Sequence, residues 1–154
     1  MEAARTATNS DLPALVDLAR AMIAELGTQR GGALWSQREA RPEPHEASLR
    51  ALLERSDARV VVGTIDDVIV GFGTVEIERL RDGGALGVIR DLFVDAGARA
   101  VGVGEAIGER LVAFCADAGC AGVDAYALPG ARDAKNFFER SGFTARVLVM
   151  HRAL

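Results

Sequence analysis

The 154-residue sequence holds one lysine (Lys135), one tryptophan (Trp35) and one tyrosine (Tyr126). Cysteine is almost as scarce. Cys115 and Cys120 are too few for a disulfide framework. His45 and His151 are the only histidines and lie far from the cysteines, so no ligand set has zinc-binding spacing and no metal is expected. No charge-free run approaches the ~20 apolar residues of a membrane span, which argues against a membrane partner. The opening Met1-Glu2-Ala3-Ala4-Arg5-Thr6 lacks the basic and apolar regions of a signal peptide, so a cytoplasmic location is expected. The net charge of -4 argues against general nucleic-acid binding.

What is present is ordinary for a globular chain: 49% hydrophobic and 26% charged residues. The length gives one expected domain over residues 1–154, large enough to bury ~70% of its unfolded surface. Arginine supplies 17 of the 18 basic residues, a skew that reads as genome composition.

Residues 2–8 suggest a weak first strand. Asn9, Ser10 and Asp11 offer helix caps, and Pro13 suits a first turn. Leu12, Leu15, Val16, Ala19, Met22, Ile23 and Leu26 have amphipathic helical spacing, ended by Gly27. Residues 28–44 are polar and hold Gly31, Gly32, Pro42 and Pro44; they read as a long loop. Leu49, Leu52 and Leu53 mark a short helix, with His45 at its start on the surface.

The period then changes. Residues 58–65 and 68–78 predict a hairpin turning at Asp66-Asp67, and residues 85–94 a further strand. A glycine-bearing loop leads to a helix with Val103, Ala106, Ile107, Leu111, Phe114, Cys115 and Ala118 on one face, stopped by Gly119. Cys115 therefore belongs to the core. A strand over 123–128, a helix over 132–140 and a final strand region over 143–152, holding His151, complete the pattern. Strand, helix, strand, helix, strand predicts a partly parallel sheet.

Chemistry concentrates between Asp91 and Glu105. A buried strand runs into Arg99-Ala100-Val101-Gly102-Val103-Gly104, where a helix begins. Unpaired amides and the helix dipole make such a terminus an anion site, and glycines allow close approach of phosphate. Arg99 adds a planar cation. A dinucleotide-binding fingerprint requires glycine at 107, where Ile107 stands, and no Gly-Lys-Ser/Thr is present. Alone, Gly102-Val103-Gly104 reads as a loosened turn into a core helix rather than as a phosphate site.

Two further segments add to it. Arg99-x-x-Gly102-x-Gly104 matches the Arg/Gln-x-x-Gly-x-Gly/Ala signature of the GNAT family of N-acetyltransferases. Ile89-Arg90-Asp91-Leu92-Phe93-Val94 is similar to that family's fourth strand. Ala134-Lys135-Asn136-Phe137-Phe138-Glu139-Arg140-Ser141-Gly142-Phe143 resembles its C-terminal motif. The hairpin with Val70-Gly71 fits the second and third strands, so the resemblance spans nearly the whole chain.

The resemblance implies an α/β fold with a mixed, mostly antiparallel central sheet of 6–7 strands flanked by helices. It implies acetyl-CoA as co-substrate, lying where the fourth and fifth strands splay. The pantetheine would pair with Leu92, Phe93 and Val94 as an added strand. The diphosphate would sit on Arg99, Ala100, Val101, Gly102, Val103, Gly104 and Glu105, with Asn136 contributing to the cofactor site. The acceptor would be a primary amine on a small molecule or peptide, attacking the thioester directly in a ternary complex. Family habit also allows a homodimer.

The chain departs from the family pattern in three places. Phe138 replaces a tyrosine that often serves as general acid. Ala131 stands where an Asn is common. Arg90 occupies a place that holds a Glu base in some members. A thiol with pKa ~8.5 leaves as thiolate at pH 7.5 against only ~1.4 kcal/mol, so losing the acid is survivable. Deprotonating an alkylamine of pKa ~10.4 costs ~4 kcal/mol, so the base matters more. Candidate bases are Asp91, Glu76 and Glu78; Asp91 reads equally as a structural strand carboxylate. Strand alternation predicts Asp91 and Arg90 on opposite faces. Tyr126 is the candidate acid, against ordinary packing of an aromatic on a strand. Trp35 either lines the acceptor pocket or seals the core. Two other readings compete: a non-catalytic acetyl-CoA-binding regulatory module, and an α/β domain whose glycine loop binds nothing.

Overall fold

Asp66 and Asp67 both adopt left-handed backbone, φ 48° and 68°, the twist a two-residue hairpin turn needs. They join β2 (Ala58–Ile65) to β3 (Val68–Arg79) at the centre of the sheet. The structure, a computed structural model, describes residues 2–154. β1 (Glu2–Thr6) pairs antiparallel with β2, and β4 (Ala85–Val94) pairs antiparallel with β3. β5 (Gly122–Ala125) pairs parallel with β4. The spatial order is β1-β2-β3-β4-β5.

Helices cover both faces. α1 (Leu12–Gly27) and α3 (His45–Glu54) bury Leu15, Ala19, Met22, Leu49 and Leu52 against Val60, Val62, Phe72 and Phe93. α4 (Val103–Asp117) lies on the opposite face, with Val103, Ile107, Leu111 and Cys115 against Val61, Val75 and Ile89. This approach is close because the sheet is glycine there. A Cβ on Gly63 would lie 2.4 Å from Val103 Cγ1, and one on Gly87 2.3 Å from Cys115 Sγ. The position of α4 is thus set by absent side chains on β2 and β4. α5 (Arg132–Arg140) docks beside α4 through Phe137, whose ring lies 3.5 Å from where a Gly104 Cβ would stand.

The mixed, mostly antiparallel sheet flanked by helices is as expected, but its details differ. Among the described residues the sheet has five strands, not six or seven. Residues 144–154 form no strand and make no backbone hydrogen bond to the rest of the chain. β5 ends at Ala125, so Tyr126 lies just past the strand and not on it. The loop over 28–44 contains α2 (Gly32–Arg38), started by Gly31 in a left-handed conformation. Only Ala33, Leu34 and Trp35 are large enough to give α2 an apolar stripe, too few to register as a period. Trp35 is half-buried and packs against the α1–α3 core. His45 is buried, not on the surface, and its Nε2 lies 3.0 Å from Glu43 Oε1. No helix among the described residues is long and apolar enough to cross a membrane.

Candidate active site

β4 carries two regimes of pairing. Leu86 to Ile89 pair with Gly122 to Ala125 of β5. From Asp91 to Val94, β4 pairs only with Gly71 to Thr74 of β3, and its other edge is open. The two parallel strands therefore part after Ile89. The edge left open belongs to Leu92, Phe93 and Val94, where an extended ligand chain could hydrogen-bond as an added strand.

The cleft between the parted strands leads to the start of α4. Gly102 caps that helix with φ 89°, and Ala100 also has positive φ, 66°. No side chain caps the helix, and the first amide to bond within it is Ala106 N–H, to Gly102 O at 3.1 Å. The preceding first-turn amides, those of Val103, Gly104 and Glu105, have no intrahelical partner. A row of amides beside left-handed residues forms an anion-binding concavity. The donor set suits a diphosphate, and the open β4 edge suits an amide-bearing chain, so the residues present fit acetyl-CoA.

Arg99 is placed differently from the simple expectation. Its Nε–H donates to Val94 O at 2.8 Å, and its Nη2 bonds both carboxylate oxygens of Glu25 on α1, at 3.0 and 2.8 Å. Its guanidinium also stands over Phe93, 5.3 Å from the ring centroid. Arg99 thus bridges α1 and β4 at the mouth of the cleft. Asn136 is exposed on α5, and Glu105 lies 3.9 Å from Arg140 of that helix.

On the opposite face of β4 the expected alternation of Arg90 and Asp91 fails. Thr74 faces Asp91 and Val75 faces Ile89, so Arg90 is the extra residue of a bulge. The bulge brings both side chains to the face that carries Thr74, Glu76 and Glu78. Arg90 pairs with Glu76 at 3.4 Å and Glu78 at 2.8 Å. Asp91 is buried; its Oδ2 accepts from Thr74 Oγ1 at 2.5 Å and from Arg41 Nη2. Arg41 also donates to Ser48 Oγ at 2.7 Å, tying the stretch before α3 to the sheet.

Beside this pair opens a pocket of about 460 Å³, lined by Arg41, Pro42, Pro44, Leu52, Arg55 and Glu76 among others. Glu76 accepts from Arg55 Nη1 at 2.5 Å. Arg55 is held even more firmly protonated than usual by Asp57 and Glu76. Tyr126, the first residue beyond β5, is exposed, with Arg90 5.9 Å from its ring centroid. Among the described residues its hydroxyl has no hydrogen-bond partner. Phe138, in place of the expected tyrosine, stacks edge-on with Phe137 at 5.4 Å and Phe143 at 5.2 Å. Sequence reasoning named Asp91 and Glu76 and weighed Arg41, with Arg30 and Arg38, only as favouring an acidic acceptor; it gave Thr74 and Glu25 no part in the site. The partners of Arg41, Thr74 and Glu25 are 50, 17 and 74 residues away, and no local spacing signals such contacts.

The model of the Acetyltransferase (GNAT) family matches residues 23–143. The chain belongs to the GNAT acetyltransferase family. Solved acetyltransferases share its GNAT fold across almost the full length. An acetyltransferase of Trypanosoma brucei is 24% identical, with TM-score 0.70 and all of both chains covered. Glucosamine-6-phosphate N-acetyltransferase from Arabidopsis thaliana is 21% identical, with TM-score 0.73, covering 99% of this chain and 98% of that one. An aminoglycoside acetyltransferase from an uncultured soil metagenomic sample, in complex with sisomicin, is 22% identical, with TM-score 0.74, covering 99% and 95%. A search of curated proteins found no match. In GNAT terms the parted β4 and β5 are the fourth and fifth strands, and this GNAT chain is an acyltransferase by family.

Proposed function

We propose that the chain transfers an acetyl group from acetyl-CoA to a primary amine of a small molecule or peptide, by direct attack in a ternary complex. The observation that carries this reading is the open β4 edge after Ile89, continuous with the uncapped amides of α4. Leu92, Phe93 and Val94 would hold the pantetheine. Residues 99–105, with Asn136 across on α5, would hold the diphosphate end. Bound there, acetyl-CoA supplies an acyl group activated as a thioester.

The chain's own residues then have two tasks. Amides of β4 would stabilise negative charge developing on the acyl oxygen. The acceptor amine must lose a proton. Asp91 carries two strong donors on Oδ2, which makes it a group that positions Arg41 and Thr74 more than a free base. Glu76 is also paired, with Arg55 and Arg90, but it lines the pocket and is only partly buried, so it is the carboxylate that an acceptor amine could reach. Tyr126, with its unpartnered hydroxyl where the strands part, would protonate the departing thiolate in place of the tyrosine that Phe138 lacks.

A second reading, a non-catalytic acetyl-CoA-binding module, is favoured by one observation: the carboxylate of Asp91 is taken up by Arg41 and Thr74. Thiol release from acetyl-CoA, measured against a panel of small and peptide amines, separates the two. Amine-dependent release supports the transferase. Tight acetyl-CoA binding with no release above solvent hydrolysis for any amine supports the module.

A further inference from the structure

We infer that Cys115 and Cys120 are a redox-active pair: a low-molecular-weight disulfide such as oxidised glutathione closes them into an intramolecular disulfide, and excess thiol reopens it. The end of α4 brings the two together. Gly119 leaves the helix with left-handed backbone, φ 77°. Its N–H bonds Ala116 O at 3.0 Å, and Cys120 N–H bonds Cys115 O, also at 3.0 Å. These two bonds turn the chain back over the end of its own helix, and they set the residue after the glycine against the one five positions earlier. Here both residues at that contact are cysteine.

The second bond also bounds their separation. With ordinary bond lengths, a 3.0 Å contact from Cys120 N to Cys115 O holds the two Cα atoms no more than about 6.9 Å apart. Cysteines can be bridged without backbone movement up to about 7 Å. Both side chains belong to the apolar layer between α4 and the sheet. The Cys115 thiol is raised by burial first, and then by the Cys120 thiol beside it.

Different access orders the steps. Cys120 is half-buried, and Cys115 is buried. The Cys120 thiolate attacks one sulfur of oxidised glutathione. The glutathione S–S bond breaks, a mixed disulfide forms on Cys120, and one glutathione leaves as thiolate. Cys115 then gives up its proton, and its sulfur attacks Cys120 Sγ and expels the second glutathione. Two protein thiols are oxidised, one glutathione disulfide is reduced to two thiols, and the two cysteine protons end on glutathione. Burial closes Cys115 to reagents in solvent, while its fixed place beside Cys120 supplies the proximity that the second step needs.

The test uses the full chain, without acetyl-CoA. Native protein is equilibrated in mixtures of reduced and oxidised glutathione, quenched in acid, and read by intact mass and by the tryptic peptide 111–132, which holds both cysteines. The expected product has lost two hydrogens within that peptide and carries no glutathione. Its equilibrium constant should be at least tenfold larger in the native protein than in urea, because only the folded helix end holds the thiols together. Cys115→Ala should stop at a glutathione adduct on Cys120, and Cys120→Ala should take up no glutathione, both with unchanged far-ultraviolet dichroism. The comparison of native protein with urea needs neither variant. Three results would overturn the inference: native protein that stops at the mixed disulfide, native protein that resists oxidation until urea is added, or closure no more favourable in the native protein than in urea. None of these bears on acetyl-CoA binding, so this inference can fail while the transferase reading stands.

Discussion

Arg41 and Asp91, fifty residues apart, form an ion pair whose side chains are only 6% and 2% exposed. The pair fastens the stretch between α2 and α3 onto β4 at its bulge, and so fixes one wall of the pocket lined by Arg41, Leu52 and Glu76. Thr74 and Ser48 supply the additional hydrogen bonds that a buried pair needs to offset desolvation.

Removing one member should therefore cost more than removing both. Arg41→Met leaves Asp91 without its cation and is expected to destabilise by about 3–5 kcal/mol. Arg41→Met with Asp91→Asn should recover a large part of that loss. Urea denaturation of the two single variants and the double variant measures the coupling; additive losses would mean that the pair contributes nothing as a pair.

Gly63→Ala tests how α4 is positioned. The new methyl would meet Val103 and Ile107, both in the first turns of α4. Overpacking of this kind costs about 1–3 kcal/mol. Because Val103 starts the helix whose amides face the cleft, acetyl-CoA affinity should fall together with the melting temperature. Calorimetric titration and thermal unfolding read the two effects separately.

Glu25 competes for Arg99. Relieving this half-exposed pair by Glu25→Gln should leave Arg99 freer to meet a phosphate and tighten acetyl-CoA binding by about two- to fivefold. Arg99→Ala should weaken it by about tenfold or more, the loss of one charged hydrogen bond. Equal affinities in wild type and both variants would assign Arg99 a purely structural role.

Asp11 links stability to pH. Hydrogen bonds from Arg5 (at 2.8 and 3.0 Å) hold its carboxyl below the usual range, against the opposing effect of burial. Its contribution is complete above the unfolded value of ~3.9 and is lost as pH falls through the lower folded value. Asp11→Asn should therefore be less stable than wild type at pH 6, with the gap closing below about pH 4. Urea midpoints across that range follow it.

Cys115 should be inert to alkylation in the native protein. Burial pushes its thiol up to about 11, so it is protonated throughout the neutral range. Iodoacetamide at pH 7.5 should modify the half-buried Cys120 first, and Cys115 only after unfolding in urea, as seen by intact mass.

The helices on the α1 and α4 faces were legible in the sequence because their apolar stripes repeat at helical spacing and end at Gly27 and Gly119. The hairpin was legible from Asp66-Asp67. α2 was not, because a seven-residue helix anchored by Trp35 offers less than two periods. The final strand region over 143–152 was expected from its apolar residues, but residues 144–154 form no strand and make no backbone hydrogen bond among the described residues. The bulge at Arg90 was invisible because alternation assumes an unbroken ladder; one extra residue was enough to move Arg90 onto the face of Asp91. The glycines of the α4 N-terminus pointed to the cleft, while the use of Arg99 by Glu25 depended on a contact from another helix.

The most direct test of the account is amide hydrogen exchange with and without saturating acetyl-CoA. The account predicts slowed exchange at residues 92–94 and 102–105, with little change in a separate pocket between β1 and α4, which Arg59 and Phe114 help to line. Unchanged exchange at 92–94 and 102–105 under saturating ligand would contradict it.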